Sequence, residues 1–230
     1  DSKPVNFEVK RGEIVGVTGL DGNGQDDFVK ILAGVQEAHG GTTEILDSNE
    51  NFLKYNSLDD AKKNGISFVS GDRKKEGILP NLSIYENLVV PLYKKTSKAG
   101  FLGFVNWMEL NGIFDWEVER LSIKTGPRDN LIGSLSGGNQ QKVMIARSFA
   151  QHPKVLILND PARGIDVSTK RDLYVHLRKY VEEGNTVVFL SSELEEFIGL
   201  CPKVMVFRNG TIFDIFENEK INADTLLEGM

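Results

Sequence analysis

The sequence of 230 residues holds one cysteine, three histidines and no repeat, heptad tract or low-complexity stretch. A single thiol, Cys201, excludes an internal disulfide and argues against a cysteine-based zinc site, and its expected place is a small buried side chain. His39, His152 and His176 stand at no spacing that suits a metal ion. No apolar run approaches the ~20 residues that cross a bilayer as a helix. No basic-then-apolar leader opens the chain, so the sequons Asn81-Leu82-Ser83 and Asn209-Gly210-Thr211 read as chance matches. Positive charge is also in deficit: 27 Lys and Arg against 33 Asp and Glu leave a net charge of −6. That balance argues against a general binder of nucleic acid or anionic lipid, whose affinity comes from clustered Lys and Arg. The remainder, 40% hydrophobic and 26% charged, has enough length to bury a core of its own. The first residue is Asp1, so a processed chain or a piece of a longer one is expected.

Short β-branched runs alternate with longer helical stretches, which predicts an α/β protein with a largely parallel sheet. Glu13–Thr18 reads as a buried strand, followed by a glycine-rich turn from Gly19 to Gly24 and a helix opening at Asp26–Leu32. Thr42–Leu46 and Ile66–Ser70 read as strands. Gln140–Gln151 is an amphipathic helix, and Lys154–Leu158 an apolar strand of the kind covered on both faces. Thr169–Glu183 is a helix, Thr186–Leu190 a strand, and Val204–Phe213 a hairpin turning at Asn209-Gly210. Between about Leu79 and Ile132 the pattern turns helical. Phe101, Phe104, Trp107, Phe114 and Trp116 there predict a helical insertion whose aromatics form its own core, with a partner-docking face as the alternative. The expected division is a single domain, 1–230, with an α/β core at 1–78 and 133–230 and a helical subdomain at about 79–132.

Two stretches carry chemistry. Gly19-Leu20-Asp21-Gly22-Asn23-Gly24-Gln25-Asp26 lies between strand and helix, the layout of a phosphate-binding loop. Its glycines stand where backbone must wrap a phosphate, but Gln25 replaces the lysine and Asp26 the Ser/Thr of the pattern. Taken alone, a glycine turn that merely packs helix on strand fits as well. Leu135-Ser136-Gly137-Gly138-Asn139-Gln140 opens a helix with free backbone N–H groups and a hydroxyl, an anion site. The apolar strand ending in Asn159-Asp160, then Asp166, then Ser191-Ser192-Glu193 put polar groups at strand ends, where doubly wound sheets bind ligands.

In this order and spacing the motifs resemble the nucleotide-binding domain of ABC transporters, over nearly the whole chain. Leu135–Val143, Pro161–Val167 and Ser70-Gly71-Asp72-Arg73-Lys74 are similar to the second ATPase half of tandem-domain subunits of bacterial monosaccharide importers of the ribose, galactose and xylose type. The resemblance implies a P-loop ATPase fold with a mostly parallel sheet, an antiparallel β portion and an inserted helical subdomain. It implies ATP and Mg²⁺ as ligands, and as partners a second ABC ATPase domain, membrane permease subunits and, indirectly, a sugar-binding protein; nucleic acid is not expected. The place implied is peripheral, on the cytoplasmic face of the membrane. The chain begins just after the stretch that would supply an adenine-stacking aromatic, which fits an excised domain.

Residue by residue, the resemblance assigns the nucleotide-binding loop to Gly19, Asp21, Gly22, Asn23, Gly24, Gln25, Asp26 and Asp27. The Mg²⁺ positions fall on Asp26 and Asn159, the catalytic glutamate on Asp160, and the H-loop histidine on Glu193. The Q-loop position is Gly71, the D-loop acid Asp166, and the signature Leu135, Ser136, Gly137, Gly138, Asn139 and Gln140. Lysine, hydroxyl, Mg²⁺ aspartate, glutamate, glutamine and histidine are all replaced. A unit charge about 4 Å from a phosphate is worth roughly 4 kcal/mol at an effective dielectric near 20. A missing cation and two added acids should therefore abolish tight ATP binding in the usual geometry. The expectation is a domain degenerate in its own site that supplies an intact signature to a partner. The alternatives are an active ATPase using Asp160, or the ABC head of a repair or ribosome-associated factor. The basic cluster Arg73-Lys74-Lys75 is expected to be a solvated loop, with a phosphate-seeking patch as the alternative, and Asp59-Asp60 to sit in or beside a solvated helix.

Overall fold

A computed structural model describes residues 4–47, 49–93 and 105–230. Phe101 and Phe104 lie outside the described residues. The chain divides into two compact units: Asp1–Phe68, Pro153–Pro161 and Leu177–Met230 form the first, Val69–His152 and Ala162–His176 the second.

The first unit carries β1 (Ile14–Gly19), α1 (Gln25–Leu32), β2 (Thr43–Leu46), β3 (Phe52–Tyr55), α2 (Leu58–Lys63) and β4 (Ile66–Val69, its last residue excepted). Later in the chain it adds β5 (Val155–Asn159), β6 (Thr186–Leu190), β7 (Lys203–Arg208), β8 (Thr211–Glu217) and a short C-terminal helix, Ala223–Gly229. The six-stranded sheet runs β4-β5-β6-β1-β7-β8, and β2 pairs with β3 in a separate antiparallel hairpin. Every residue of β6 is buried, as are the apolar positions of β1; such continuous apolar runs fit strands covered on both faces. Parallel register puts Val17 opposite Leu190 and Leu190 opposite Asn159. The carboxyl ends of β1, β6 and β5 therefore finish side by side, and the loops that leave them start from one edge.

The core of this unit gathers Val15, Val17, Phe28, Val29, Ile157, Val188, Leu190, Met205 and Phe207. Phe28 brings α1 into it, with its ring 4.9 Å from Phe7 and 4.8 Å from Phe207. Acids in the first turn of α1 and Lys30 in the last suit the helix dipole. β7 and β8 join at Asn209-Gly210, both left-handed, the type I′ geometry that matches strand twist. β3 is an element the sequence pattern did not predict. Its turn is closed by Asp47, whose Oδ1 accepts from the N–H of Asn49 (2.7 Å) and Asn51 (2.9 Å).

The second unit is helical: α3 (Ile84–Val89), α4 (Trp107–Arg120), α5 (Gly137–Phe149) and the first part of α6 (Val167–Glu182). The C-terminal helix of the first unit is thus α7 in chain order. Ser83 and Glu86 form a reciprocal capping box at the start of α3. Asn87 is buried, and its amide accepts from the Leu79 N–H and donates to the carbonyls of Leu79, Leu82 and Ser83. Ile84, Leu88, Leu92, Leu110, Ile132, Ile145 and Phe149 fill the interior. Phe114 belongs to that interior and packs on Tyr85, but Trp107 and Trp116 are 55% and 65% exposed. The expectation that these aromatics form the core holds for Phe114 and fails for the two tryptophans. They stand nine residues apart on α4, about 180° apart around its axis, so one buried face cannot take both.

Glu117 of α4 is 2% exposed. One of its oxygens meets Arg120 Nη1 at 3.2 Å, and Oε2 has no hydrogen-bond partner among the described residues. Burial pushes its carboxyl up to about 7, against the opposing pull of Arg120. The folded state thus holds a proton that the unfolded chain releases near pH 4.5. Stability conferred by that proton is complete below the unfolded value and drains away as pH rises toward 7. In denaturant titrations, Glu117→Gln should flatten the fall in stability between about pH 5 and 7 and raise stability at pH 8 by ~1–3 kcal/mol.

Candidate functional site

The glycine-rich loop leaves β1 at Gly19 and enters α1 at Gln25. Gly22 and Gly24 take φ of 84° and 97°, conformations costly for any side chain with a Cβ. Asn23 closes the loop by donating its N–H to the Leu20 carbonyl at 3.0 Å. The β7–β8 turn clamps it from outside: the Gly210 N–H donates to the Asn23 carbonyl (3.1 Å) and the Asn209 N–H to Asn23 Oδ1 (3.3 Å).

Gln25 is 4% exposed. Its Nε2 donates to the carbonyls of Gly19 (3.1 Å) and Leu20 (2.9 Å), tying the mouth of the loop to the helix behind it. Its Oε1 is buried with no hydrogen-bond partner among the described residues. The position that needs an ammonium for phosphate thus holds a neutral amide whose donors are spent on the loop itself. Its remaining polar atom, Oε1, is an acceptor only.

Asn159, buried at the end of β5, donates Nδ2 to Asp26 Oδ1 at 3.2 Å. Asp26 and Asp27 are exposed in the first turn of α1, and Asp21 is exposed on the loop. The next residue along β5, Asp160, is left-handed at φ 47°. Its N–H extends the ladder to the Leu190 carbonyl (2.8 Å) and its carboxylate accepts from Ser192 Oγ (3.1 Å). Glu193 is exposed; its N–H donates to Ser191 Oγ, which in turn donates to the buried Glu196 at 2.6 Å. Thr18 Oγ1 donates to the Ser191 carbonyl at 3.0 Å, so the strand-end loops are cross-linked.

The structure therefore brings Gly19–Asp27, Asn159, Asp160 and Glu193 into the first unit. Leu135–Gln140, Gly71 and Asp166 belong to the second and form their own groups. Ser136 is the N-cap of α5: its Oγ accepts from the Asn139 N–H (3.4 Å) and amide Nδ2 (3.0 Å). The helix thus begins at Gly137, inside the signature, three residues before the expected Gln140. Gln140 Nε2 donates to the Leu135 carbonyl at 3.0 Å, fixing the approach to the cap. Asp166 accepts from the N–H and hydroxyl of Thr169, and the backbone hydrogen bond holds its carboxyl below the usual range.

Two features escaped sequence reasoning. The Asn23 clamp joins residues 186 apart and has no local signal. The Asp26–Asn159 pair did have one. Where the pattern has a hydroxyl and then an acid, this chain has an acid and then an amide, a reciprocal exchange that keeps one donor facing one carboxylate. Among the described residues no three His, Cys, Asp or Glu side chains gather as a metal site. With Gln25 spent on the loop and Asp26 held by Asn159, these residues do not fit Mg·ATP in the usual pose. Separate and combined Asp26→Ala and Asn159→Ala substitutions should show a coupling of ~0.5–1.5 kcal/mol in denaturant unfolding. Gln25→Ala should cost ~1–3 kcal/mol, by freeing two loop carbonyls.

The ABC transporter family model matches residues 2–163. The chain is 37% identical over 223 residues to a ribose import ATP-binding protein RbsA of Bacillus cereus, covering 97% of this chain and 44% of that one. It is 33% identical over 224 residues to the galactose/methyl galactoside import ATP-binding protein MglA of Mannheimia succiniciproducens, covering 97% and 43%. It spans less than half the length of these curated relatives. Its fold matches that of a dimeric ATP-binding cassette solved in a post-hydrolysis state bound to ADP and Pi. The TM-score is 0.78 at 24% identity, over 94% of this chain and 90% of the other.

Proposed function

This chain belongs to the ABC transporter family of ATP-binding domains, and from that premise we propose that it is the degenerate half of an asymmetric pair. It holds no productive Mg·ATP of its own and lends its signature, Ser136-Gly137-Gly138, to the nucleotide bound by a partner ABC domain. The observation that carries the reading is the Gln25 amide, tied to the Gly19 and Leu20 carbonyls with an acceptor left over. The exchanged Asp26–Asn159 pair supports it, because the carboxylate that would hold a metal from β5 is gone from that strand.

The relatives support a wider reading. They are sugar import proteins more than twice this chain's length, which fits a second, C-terminal half of a tandem subunit. Its partners are then the other ABC half, permease subunits and, through them, a sugar-binding protein; the cargo is a ribose- or galactose-class monosaccharide. No helix among the described residues is long and apolar enough to cross a membrane, which suits a subunit docked peripherally on the cytoplasmic face. The functional division we keep is one ABC domain with an α/β core (1–78 and 133–230) and a helical subdomain at about 79–132. Gly71 stands at the Q-loop and Asp166 at the D-loop. An active site built on Asp160 is the less favoured reading, since its carboxylate is engaged by Ser192.

The test compares ATP turnover by this chain alone with turnover by the full tandem protein. This chain alone should show none. In the tandem protein Asp160→Asn should leave turnover unchanged, while Ser136→Glu, which puts an acid at the α5 N-terminus, should lower it by about 10²-fold or more. Turnover of several per second by this chain alone, lost in Asp160→Asn, would overturn the proposal.

A further inference from the structure

The basic cluster at 73–75, expected to be a solvated loop, divides in the structure. Lys74 and Lys75 are exposed, but Arg73 is folded against the signature. Arg73 Nη1 donates to the Gly137 carbonyl at 2.9 Å. A Cβ at Gly137 would stand 2.9 Å from Nη2 and 3.3 Å from Cζ, so the guanidinium lies on the bare face of that glycine. Its Nε is buried without a hydrogen-bond partner among the described residues.

A second fastening lies farther along α5. Arg147 Nη2 donates to the Gly77 carbonyl at 2.5 Å, and a Cβ on Gly77 would collide with the Met144 thioether. Between these points the strap is stitched to itself: Ser70 Oγ donates to Glu76, the Asp72 N–H donates to Ser70 Oγ, and Asp72 caps a single π-helical turn at Arg73–Gly77. Residues 70–77 thus form a splint fastened to the signature helix at two points.

The charge in this splint is placed against local preference. A cation beside a helix N-terminus opposes the dipole, and α5 has no acid in its first turn to offset it. Places where a local rule is broken are where function or strain is expected. An anion arriving at Ser136-Gly137-Gly138 would supply the missing countercharge.

We propose that Arg73 is a positioning residue for the signature. Docked on the Gly137 carbonyl, it fixes the orientation of the first-turn N–H groups of α5 and adds positive field to the end that receives a partner's nucleotide phosphate. It acts through α5, without touching that phosphate. This rests on the reading of the signature given under Proposed function.

The test uses the full tandem protein assembled with its permease, following turnover against ATP concentration. Arg73→Met should raise KM for ATP about tenfold while kcat stays within about twofold, the mark of lost binding rather than lost chemistry. Its nucleotide-free thermal midpoint should match the parent. Arg73→Lys, which keeps the charge but not the planar fork, should recover part of the affinity. Gly137→Ala, which pushes the guanidinium away, should raise KM with Arg73 still present. An unchanged KM in Arg73→Met, with turnover abolished by Ser136→Glu, would overturn the role of Arg73 alone. A fall in midpoint and kcat shared equally by the Met and Lys variants would show a structural role and overturn it too. If Ser136→Glu has no effect, the signature reading itself falls, and this inference with it.

Discussion

The site turns on two hydrogen bonds from one amide nitrogen. Gln25 Nε2 reaches back to the carbonyls of Gly19 and Leu20 and ties the loop between β1 and α1 to itself. A lysine in that place can release such carbonyls and turn its ammonium to an incoming anion. An amide has no charge to offer in exchange. The contact ties the loop back onto its own carbonyls, while Oε1 stays buried without a hydrogen-bond partner among the described residues. The turn of β7–β8 reinforces it by gripping Asn23 from the other side.

Why the cradle persists follows from the sheet. Val17, Leu190 and Asn159 stand in register at the ends of three adjacent strands, so the loops leaving that edge start side by side. The Thr18–Ser191 and Asp160–Leu190 bonds are part of that edge. Donors on this edge are matched to acceptors at Thr18, Asp160 and Asn159, while Gln25 Oε1 is left unmatched among the described residues; an unmatched buried polar group costs ~1–3 kcal/mol. The Asp26–Asn159 pair keeps such a match: an amide donor on β5 faces a carboxylate on α1.

The sequence carried the fold class, the order of strands and helices, the glycine loop and the signature, because each is a local pattern: apolar periodicity, glycines at a turn, a Ser before Gly-Gly. It did not carry what depends on distant approach. β3 has only weak alternation, and its turn is set by the Asp47 side chain. Aromatic content predicts Trp107 and Trp116 inside because it does not reveal which helix face is turned inward. Nothing local to Arg73 shows that Gly137, 64 residues away, leaves room for a guanidinium. The replacements at 26 and 159 are both visible as separate losses; only their geometry makes them one compensated pair.

The most direct measurement of whether the loop has been closed to nucleotide is an equilibrium titration of this chain with fluorescent or radiolabelled ATP, with and without Mg²⁺. The closed loop leads to no saturable binding below roughly millimolar nucleotide, and no gain on adding the metal. A micromolar dissociation constant that depends on Mg²⁺ would contradict it.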